Sequence, residues 1–406
     1  MDSSRLYGLY QYTHGRFGLF LGAYSEGTLM EREGLMRNGR APENSLGKSG
    51  KAKFLGGGGR IGFAYRPTGS HTLSLNLGAQ SDAPLARNSF VAPRMQNNFV
   101  DNLKNELVMN GELSYQFRFG NFSGKLTGYY ARLNYGTEQT AFYNDQESRF
   151  TYLTMTGVDR EHYGLEAAFV YQVTSNFSLN LMGTISEAKY VNNPLAQVNY
   201  EGMNASTIQE LNVWSNPVTG AAMPLRVIAK GMRQSGTPLA AVSLGANYNV
   251  NGWFFEANLN YYDRVYIDFS EYARLGNVLT NYVSLSQNEL EFDVTKQELE
   301  ERGGVLFNGQ GNIVDTYSRK QEKADGGFML DLSIGKYIRL KRGKSLSINL
   351  TMQNVTNNRD LKTGGYEQNR DDNYSTGEAR PYRFSKNSKY YYANAINGFL
   401  NIGFKF

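Results

Sequence analysis

Cysteine is absent from the 406 residues, which removes disulfide frameworks, Cys-ligated zinc and thiol catalysis. Proline (9) and tryptophan (2) are scarce. Three histidines, His14, His71 and His162, stand far apart without HExxH spacing, so a zinc site of that kind is not expected. No run of about 18 apolar residues occurs, which excludes a transmembrane helix. Charged residues make up only 19%, and the 42 Lys+Arg are scattered among 37 Asp+Glu. No basic block marks a nucleic-acid surface. The chain opens Met1-Asp2-Ser3-Ser4-Arg5 and runs straight into strand-like sequence. With neither a charged n-region nor an apolar core there, no secretory signal is read.

Tyrosine (29), phenylalanine (23) and glycine (44) are abundant, and the glycines show no period of three. Mean hydropathy is −0.50, because Asn, Ser, Gln, Thr and Gly fill the space left by charge. Such a mixture suits a wall with one face in lipid and the other in water. The dominant pattern is period two. Trp253, Phe255, Ala257, Leu259 and Tyr261 alternate with Glu256, Asn258 and Asn260. Successive strand side chains point to opposite faces, so one face of this segment is apolar. Leu107, Met109, Leu113, Tyr115 and Phe117 repeat the pattern, as do Tyr163, Leu165, Ala167, Phe169 and Tyr171, and Leu346, Ile348, Leu350 and Met352.

About thirteen such segments are read, near 4–13, 15–24, 59–66, 71–80, 106–118, 122–134, 161–173, 176–188, 238–250, 252–264, 326–340, 345–355 and 392–406. Most have roughly the ten residues that a tilted strand needs to cross a bilayer core. Short connections alternate with long ones. The short ones lie at His14-Gly15, residues 67–70, Phe119-Gly120-Asn121, Thr174-Ser175, Asn251-Gly252 and residues 341–344. Asn-Gly favours a type I′ hairpin, whose two central residues take positive φ. The long ones cover 25–58, 81–105, 135–160, 189–237, 265–325 and 356–391. Soluble sandwiches have no cause to sort loops by end, whereas outer-membrane barrels place short turns in the periplasm and long loops outside. The expected fold is all-β, an antiparallel transmembrane β-barrel wall occupying residues 1–406 as one unit, located in the Gram-negative cell outer membrane against its lipid.

Chemical motifs are few. Gly56-Gly57-Gly58-Gly59 lacks the Gly-Lys-Ser/Thr of a phosphate loop and reads as a loop end or strand entry. His162 and Glu166 share a strand face and read as lumen lining rather than an acid–base pair. Inward-phase Glu112, Lys125, Glu256 and Asp331 fit an aqueous or plugged lumen, where charges stay hydrated or paired. Asp371-Asp372 reads as a solvated loop in preference to a calcium site. The sequons at Asn121, Asn349 and Asn354 carry no weight. Tyr261, Tyr262, Tyr266 and Tyr390-Tyr391-Tyr392 suit interfacial girdles. No catalytic, cofactor or metal residues are assigned.

The closing strand places Leu400, Ile402, Phe404 and Phe406 on one face, interleaved with Asn401, Gly403 and Lys405. It resembles the terminal strand by which the barrel assembly machinery recognises bacterial outer-membrane proteins. The last sixty-odd residues are similar to the C-terminal region of SusC/RagA-like TonB-dependent transporters of Bacteroidota. The residues that carry this are Asn354-Val355-Thr356-Asn357-Asn358-Arg359-Asp360, then Lys362-Thr363-Gly364-Gly365-Tyr366-Glu367-Gln368-Asn369-Arg370, Lys389-Tyr390-Tyr391-Tyr392-Ala393, and upstream Asp331-Leu332-Ser333-Ile334-Gly335-Lys336.

The resemblance implies a barrel of about 22 strands, an N-terminal plug, a segment that engages TonB, and often a SusD-like surface lipoprotein over the long loops. On that layout the chain is expected to supply about thirteen strands, with the plug and first strands absent. A strand run of this parity would begin on an inward-running strand, and the first turn is indeed short. The expected function is nutrient import, of oligosaccharide or peptide, with TonB reached only through the missing plug region. Two alternatives are a self-contained channel or barrel enzyme of about fourteen strands and a soluble, long-stranded adhesin.

Overall fold

The computed structural model describes residues 1–39, 41–144, 148–202, 212–216, 218–276, 285–286, 289–290, 304–307, 309–317, 321–369 and 388–406. Its main sheet has fourteen strands, and all but one lie on a single path. In chain order the path runs β1 (Asp2–His14), β2 (Phe17–Met30), β3 (Ala52–Thr68), β4 (His71–Asp82), β5 (Glu106–Phe119), β6 (Phe122–Asn144) and β7 (Arg149–Gln172). It continues through β8 (Phe177–Tyr190), β9 (Ala240–Val250), β10 (Trp253–Asp263), β11 (Gly327–Arg339), β12 (Ser345–Gln353) and β13 (Asn397–Lys405). Every neighbour on this path follows in sequence and pairs antiparallel. The fourteenth strand, Leu195–Tyr200, lies beyond the path against the upper half of β7. No described helix is long and apolar enough to cross a membrane.

The registers carry the alternation from strand to strand. Leu113, Gly128, Leu165 and Ile185 are successive partners on one face, while Glu112, Tyr129 and Gly164 run beside them on the other. Leu259, Leu330 and Leu244 likewise share the apolar face. Among the described residues nothing covers that face: Leu113, Leu165, Leu244 and Ile402 are 52%, 64%, 51% and 63% exposed. An uncovered apolar surface spanning thirteen strands far exceeds the few hundred Å² that water-soluble monomers tolerate. The outward direction is therefore the lipid direction.

The turns obey the expected chemistry. Asn251 and Gly252 have φ of 48° and 76°, the two positive angles of a type I′ turn, and a Cβ at position 252 would come within 2.5 Å of the Tyr337 carbonyl oxygen.

Two sequence readings are corrected. The four glycines at 56–59 lie inside β3, not at a loop end or strand entry. A Cβ at Gly58 would lie 2.6 Å from the Tyr24 ring, and one at Gly56 would lie 2.4 Å from the Ser81 carbonyl oxygen. Glycine makes room for a large inward ring from the neighbouring strand. Residues 135–144 and 149–160, read as part of a loop, form the continuation of β6 and β7. A register shift between Leu133 and Gly136, with Tyr135 at φ 63°, breaks the alternation there. Such a bulge inserts a residue and flips the phase of everything beyond it.

The wall itself has no closed interior. The packed core sits above it, between the far end of β7 and the long connections: Leu153, Met155, Val198, Leu225, Val227, Met232, Phe269, Leu275 and Phe307 form one buried cluster, with Trp214 and Phe307 in edge contact at 5.7 Å.

Candidate functional site

The lipid-facing band has two chemical borders. At the short-turn rim aromatic rings follow one another: Phe17–Tyr65 and His71–Phe119 at 4.9 Å, Phe122–Phe169 at 5.8 Å, Phe177–Tyr248 at 6.5 Å and Trp253–Phe255 at 6.1 Å. At the opposite rim the outward face turns ionic. Arg132 pairs with Glu161 at 2.7 Å, Arg233 and Arg264 with Glu187 at 2.8 and 2.5 Å, and Lys323 with Asp263 at 3.0 Å. Positions 163–171 of β7 lie between these borders, about the nine residues that a tilted strand needs to cross.

This arrangement corrects the girdle reading. Tyr261 does face outward, its ring 4.6 Å from Phe328, but Tyr262 faces inward. Tyr266 lies under the Arg233 guanidinium, 5.1 Å away. Tyr390, Tyr391 and Tyr392 belong to a loop hairpin in which Lys362–Glu367 pairs with Ser388–Tyr392. The aromatic belt instead runs along the short turns, where single rings on many strands gave no local cluster to read.

The inner face is polar and hydrogen-bonded across strands. Ser114 and Thr127 share a 2.9 Å bond, Asn260 donates to Asp331 at 2.9 Å, and Ser333 donates to Asn349 at 3.0 Å. Lys125, Glu166, Thr184, Ser243 and Tyr262 line a recess of about 370 Å³. Arg60, Asn76, Glu112 and Tyr129 line another of about 560 Å³. His162 and Glu166 both face inward, and no hydrogen bond joins them.

Above these recesses, where the inner face meets the loop core, lies a polar cavity of about 260 Å³. Glu138, Gln139, Arg160, Tyr190, Asp268 and Glu271 contribute to its wall. Arg160 pairs with Glu138 at 2.8 Å, and the Tyr190 hydroxyl donates to Glu138 at 2.9 Å. Burial raises the Asp268 carboxyl above the ordinary range. Burial, reinforced by the neighbouring Asp268 charge, pushes Glu271 up to about 8. Below that pH Glu271 keeps its proton and can donate as well as accept. The cavity thus offers neutral and charged donors and acceptors to a polar ligand. Among the described residues no group of three or more His, Cys, Asp or Glu could hold a metal ion.

The residues of the C-terminal motif come together, but as framework. Asn354 is fully buried at φ 49°. Its backbone N–H donates to Asp331 at 2.8 Å, and its amide donates to the carbonyls of Asn358 and Asn394 at 2.9 and 2.8 Å. Asn357 accepts from the Ile396 N–H at 3.1 Å, and Asn358 donates to the Phe328 carbonyl at 3.0 Å. These bonds lock the exit of β12 to the approach of β13. In the loop hairpin, the Lys362 ammonium lies 3.9 Å from the centre of the Tyr390 ring. Gly364 and Gly365 are buried, Thr363 and Tyr366 exposed, and Gln368 intermediate. A Cβ at Gly365 would fall 2.2 Å from the Lys389 carbonyl oxygen.

Glu367 makes a two-point ion pair with Arg274, at 2.5 and 3.0 Å, and both side chains are almost fully buried. The Ser270 N–H donates to the same carboxylate at 2.9 Å. The motif therefore docks its hairpin on residues 265–276, the segment that carries Asp268 and Glu271. Leu400, Ile402 and Phe404 lie apart from all this, on the outward face opposite Leu350, Ile348 and Leu346. Phe404 stacks with Phe406 at 6.1 Å. Arg370, Asp371 and Asp372 lie outside the described residues. Sequence reasoning missed Glu138, Arg160, Asp268, Glu271 and Arg274, which have no local spacing pattern.

Neither a family model nor a curated protein sequence matches the chain. Solved structures do. The copper transporter OprC matches 98% of this chain with a TM-score of 0.57 and 12% identity, over 47% of its own length. The siderophore receptor PiuA from Acinetobacter baumannii matches 98% with a TM-score of 0.53 and 12% identity, over 42% of its length. The ferric yersiniabactin uptake receptor FyuA from Yersinia pestis matches the whole chain with a TM-score of 0.51 and 11% identity, over 46% of its length. The chain spans less than half the length of these structures, and across that span it shares the fold of their antiparallel strand wall.

Proposed function

We propose that this chain is the C-terminal wall of an outer-membrane importer of the SusC/RagA-like kind, taking up an oligosaccharide or peptide by TonB-coupled transport. The observation that carries the reading is the sorting of long connections to one end, where they fold into a packed core over a polar cavity and a polar inner face. That arrangement gives a water-soluble ligand a graded path of hydrogen-bonding groups from the outside inward. Energy coupling would reach the wall through a plug and a TonB-engaging segment, and a SusD-like lipoprotein would cover the loops. The chain itself performs no covalent chemistry in this scheme. We further propose that Leu400, Ile402, Phe404 and Phe406 form the strand that the assembly machinery reads.

A second reading, uptake of a metal chelate, has support in the similar structures, which include a copper transporter and a siderophore receptor. Calorimetric titration of the purified full-length protein separates the two. The first reading expects micromolar or tighter binding of a neutral oligosaccharide or peptide, weakened at least tenfold by Asp268→Ala with Gln139→Ala. Binding of ferric chelates alone would replace it with the second.

A further inference from the structure

The short-turn rim carries charge of one sign. Within three residues of any of the six short turns there is no Asp or Glu, although the chain has 37 acidic residues. Basic residues do occur there: Arg16, Arg66 and Arg118 on the first three turns, and a denser group where β11 meets β12. That group comprises Lys336, Lys341, Arg342 and Lys344, with Arg339 and Lys405 beside it on the inward side. Lys341, Arg342 and Lys344 are exposed, and among the described residues none of this group makes an ion pair. Lys336 points outward, its ammonium 4.8 Å from the Trp253 ring centre and 2.8 Å from the Asn251 carbonyl oxygen.

From this placement we infer that the β11–β12 turn is a binding site for the phosphate of an anionic glycerophospholipid in the periplasm-facing leaflet. The inference rests on the reading of the wall as membrane-spanning. The aromatic belt fixes the depth, since Trp and Tyr sit at headgroup level. The turn emerges directly below the belt, at the level of the phosphates. Four cations clustered at a membrane border attract anionic headgroups by roughly the energy of a fivefold gain per charge. The opposite rim lacks this character, because its arginines are already paired with Glu161 and Glu187. An acidic protein partner would need the cluster to project clear of the bilayer, whereas Lys336 lies against the belt itself.

Native mass spectrometry of the purified full-length protein with phosphatidylglycerol, phosphatidylcholine or inorganic phosphate tests this. Wild type should retain phosphatidylglycerol at least about tenfold more than phosphatidylcholine, undisturbed by equimolar inorganic phosphate. The variant Lys341→Gln, Arg342→Gln, Lys344→Gln should lose that preference. If its yield is poor, Trp253 emission in wild-type protein gives a second reading: headgroup-labelled quencher on phosphatidylglycerol should quench more than on phosphatidylcholine. Equal retention of both lipids, displacement by inorganic phosphate, or a preference unchanged in the variant would overturn the inference. Protein that takes up no lipid of either kind would instead defeat the membrane-spanning reading on which it rests.

Discussion

Glu367 shows how a motif residue can serve a site it does not line. Its carboxylate sits 93 residues along the chain from Arg274, and their pairing holds two long connections together beneath the surface. Removing one member of a buried ion pair leaves the other charge uncompensated, which costs about 3–5 kcal/mol. Glu367→Ala should therefore release residues 265–276 from the hairpin while leaving the wall folded. Hydrogen exchange would show lost protection in 265–276 and 362–367 and unchanged protection in β9 to β12; protection that stays intact in both loops would contradict the assignment. Gly365 and Asn354 belong to the same framework: one lets a strand approach within a distance no side chain permits, the other ties a turn together with six hydrogen bonds of its own amide and backbone.

At the scale of elements, the strands and short turns were legible because their signals are local. Period two needs only neighbours, and Asn251-Gly252 needs only its own φ angles. The β6–β7 hairpin was shortened because bulges at Tyr135 of β6 and Gly157 of β7 reversed the phase, so the polar and apolar positions beyond them no longer matched the pattern below. Four consecutive glycines weakened the strand signal of β3, since the atoms that crowd Gly56, Gly57 and Gly58, among them the Tyr24 ring at Gly58, lie on other strands. The cavity was illegible for a related reason: Glu138 and Arg160 lie on the far ends of β6 and β7, Asp268 and Glu271 come from a long connection, and nothing in their spacing marks them. The closing strand makes its own prediction. Phe406 is 90% exposed and contributes little to packing, so a role in assembly and a role in stability can be separated. Deleting Phe406 should lower the heat-modifiable, membrane-inserted fraction several-fold in cells, with little change in the denaturant midpoint of protein that has inserted. An unaltered inserted fraction would remove this strand from recognition.

The wall is a sheet in which each strand of the path follows its predecessor, with edges at β1 and β13 among the described residues. Both edge strands run toward the short-turn rim, so they could meet each other only in parallel. Sequence alternation, strand order and the two borders of the outward band agree on one geometry, with an apolar outside, a polar inside and a packed crown of loops. The chain has no cysteine, so a single introduced cysteine can carry a nitroxide label at any chosen position. The decisive measurement is label accessibility in the bilayer-reconstituted full-length protein at Leu165, Glu166, Ser243, Leu244, Leu332 and Ser333. Labels at 165, 244 and 332 should be relaxed by oxygen, which concentrates in lipid, and shielded from a water-soluble nickel chelate, whereas labels at 166, 243 and 333 should escape the oxygen effect. Accessibility without this period of two, or nickel access at all three leucine positions, would contradict the membrane wall.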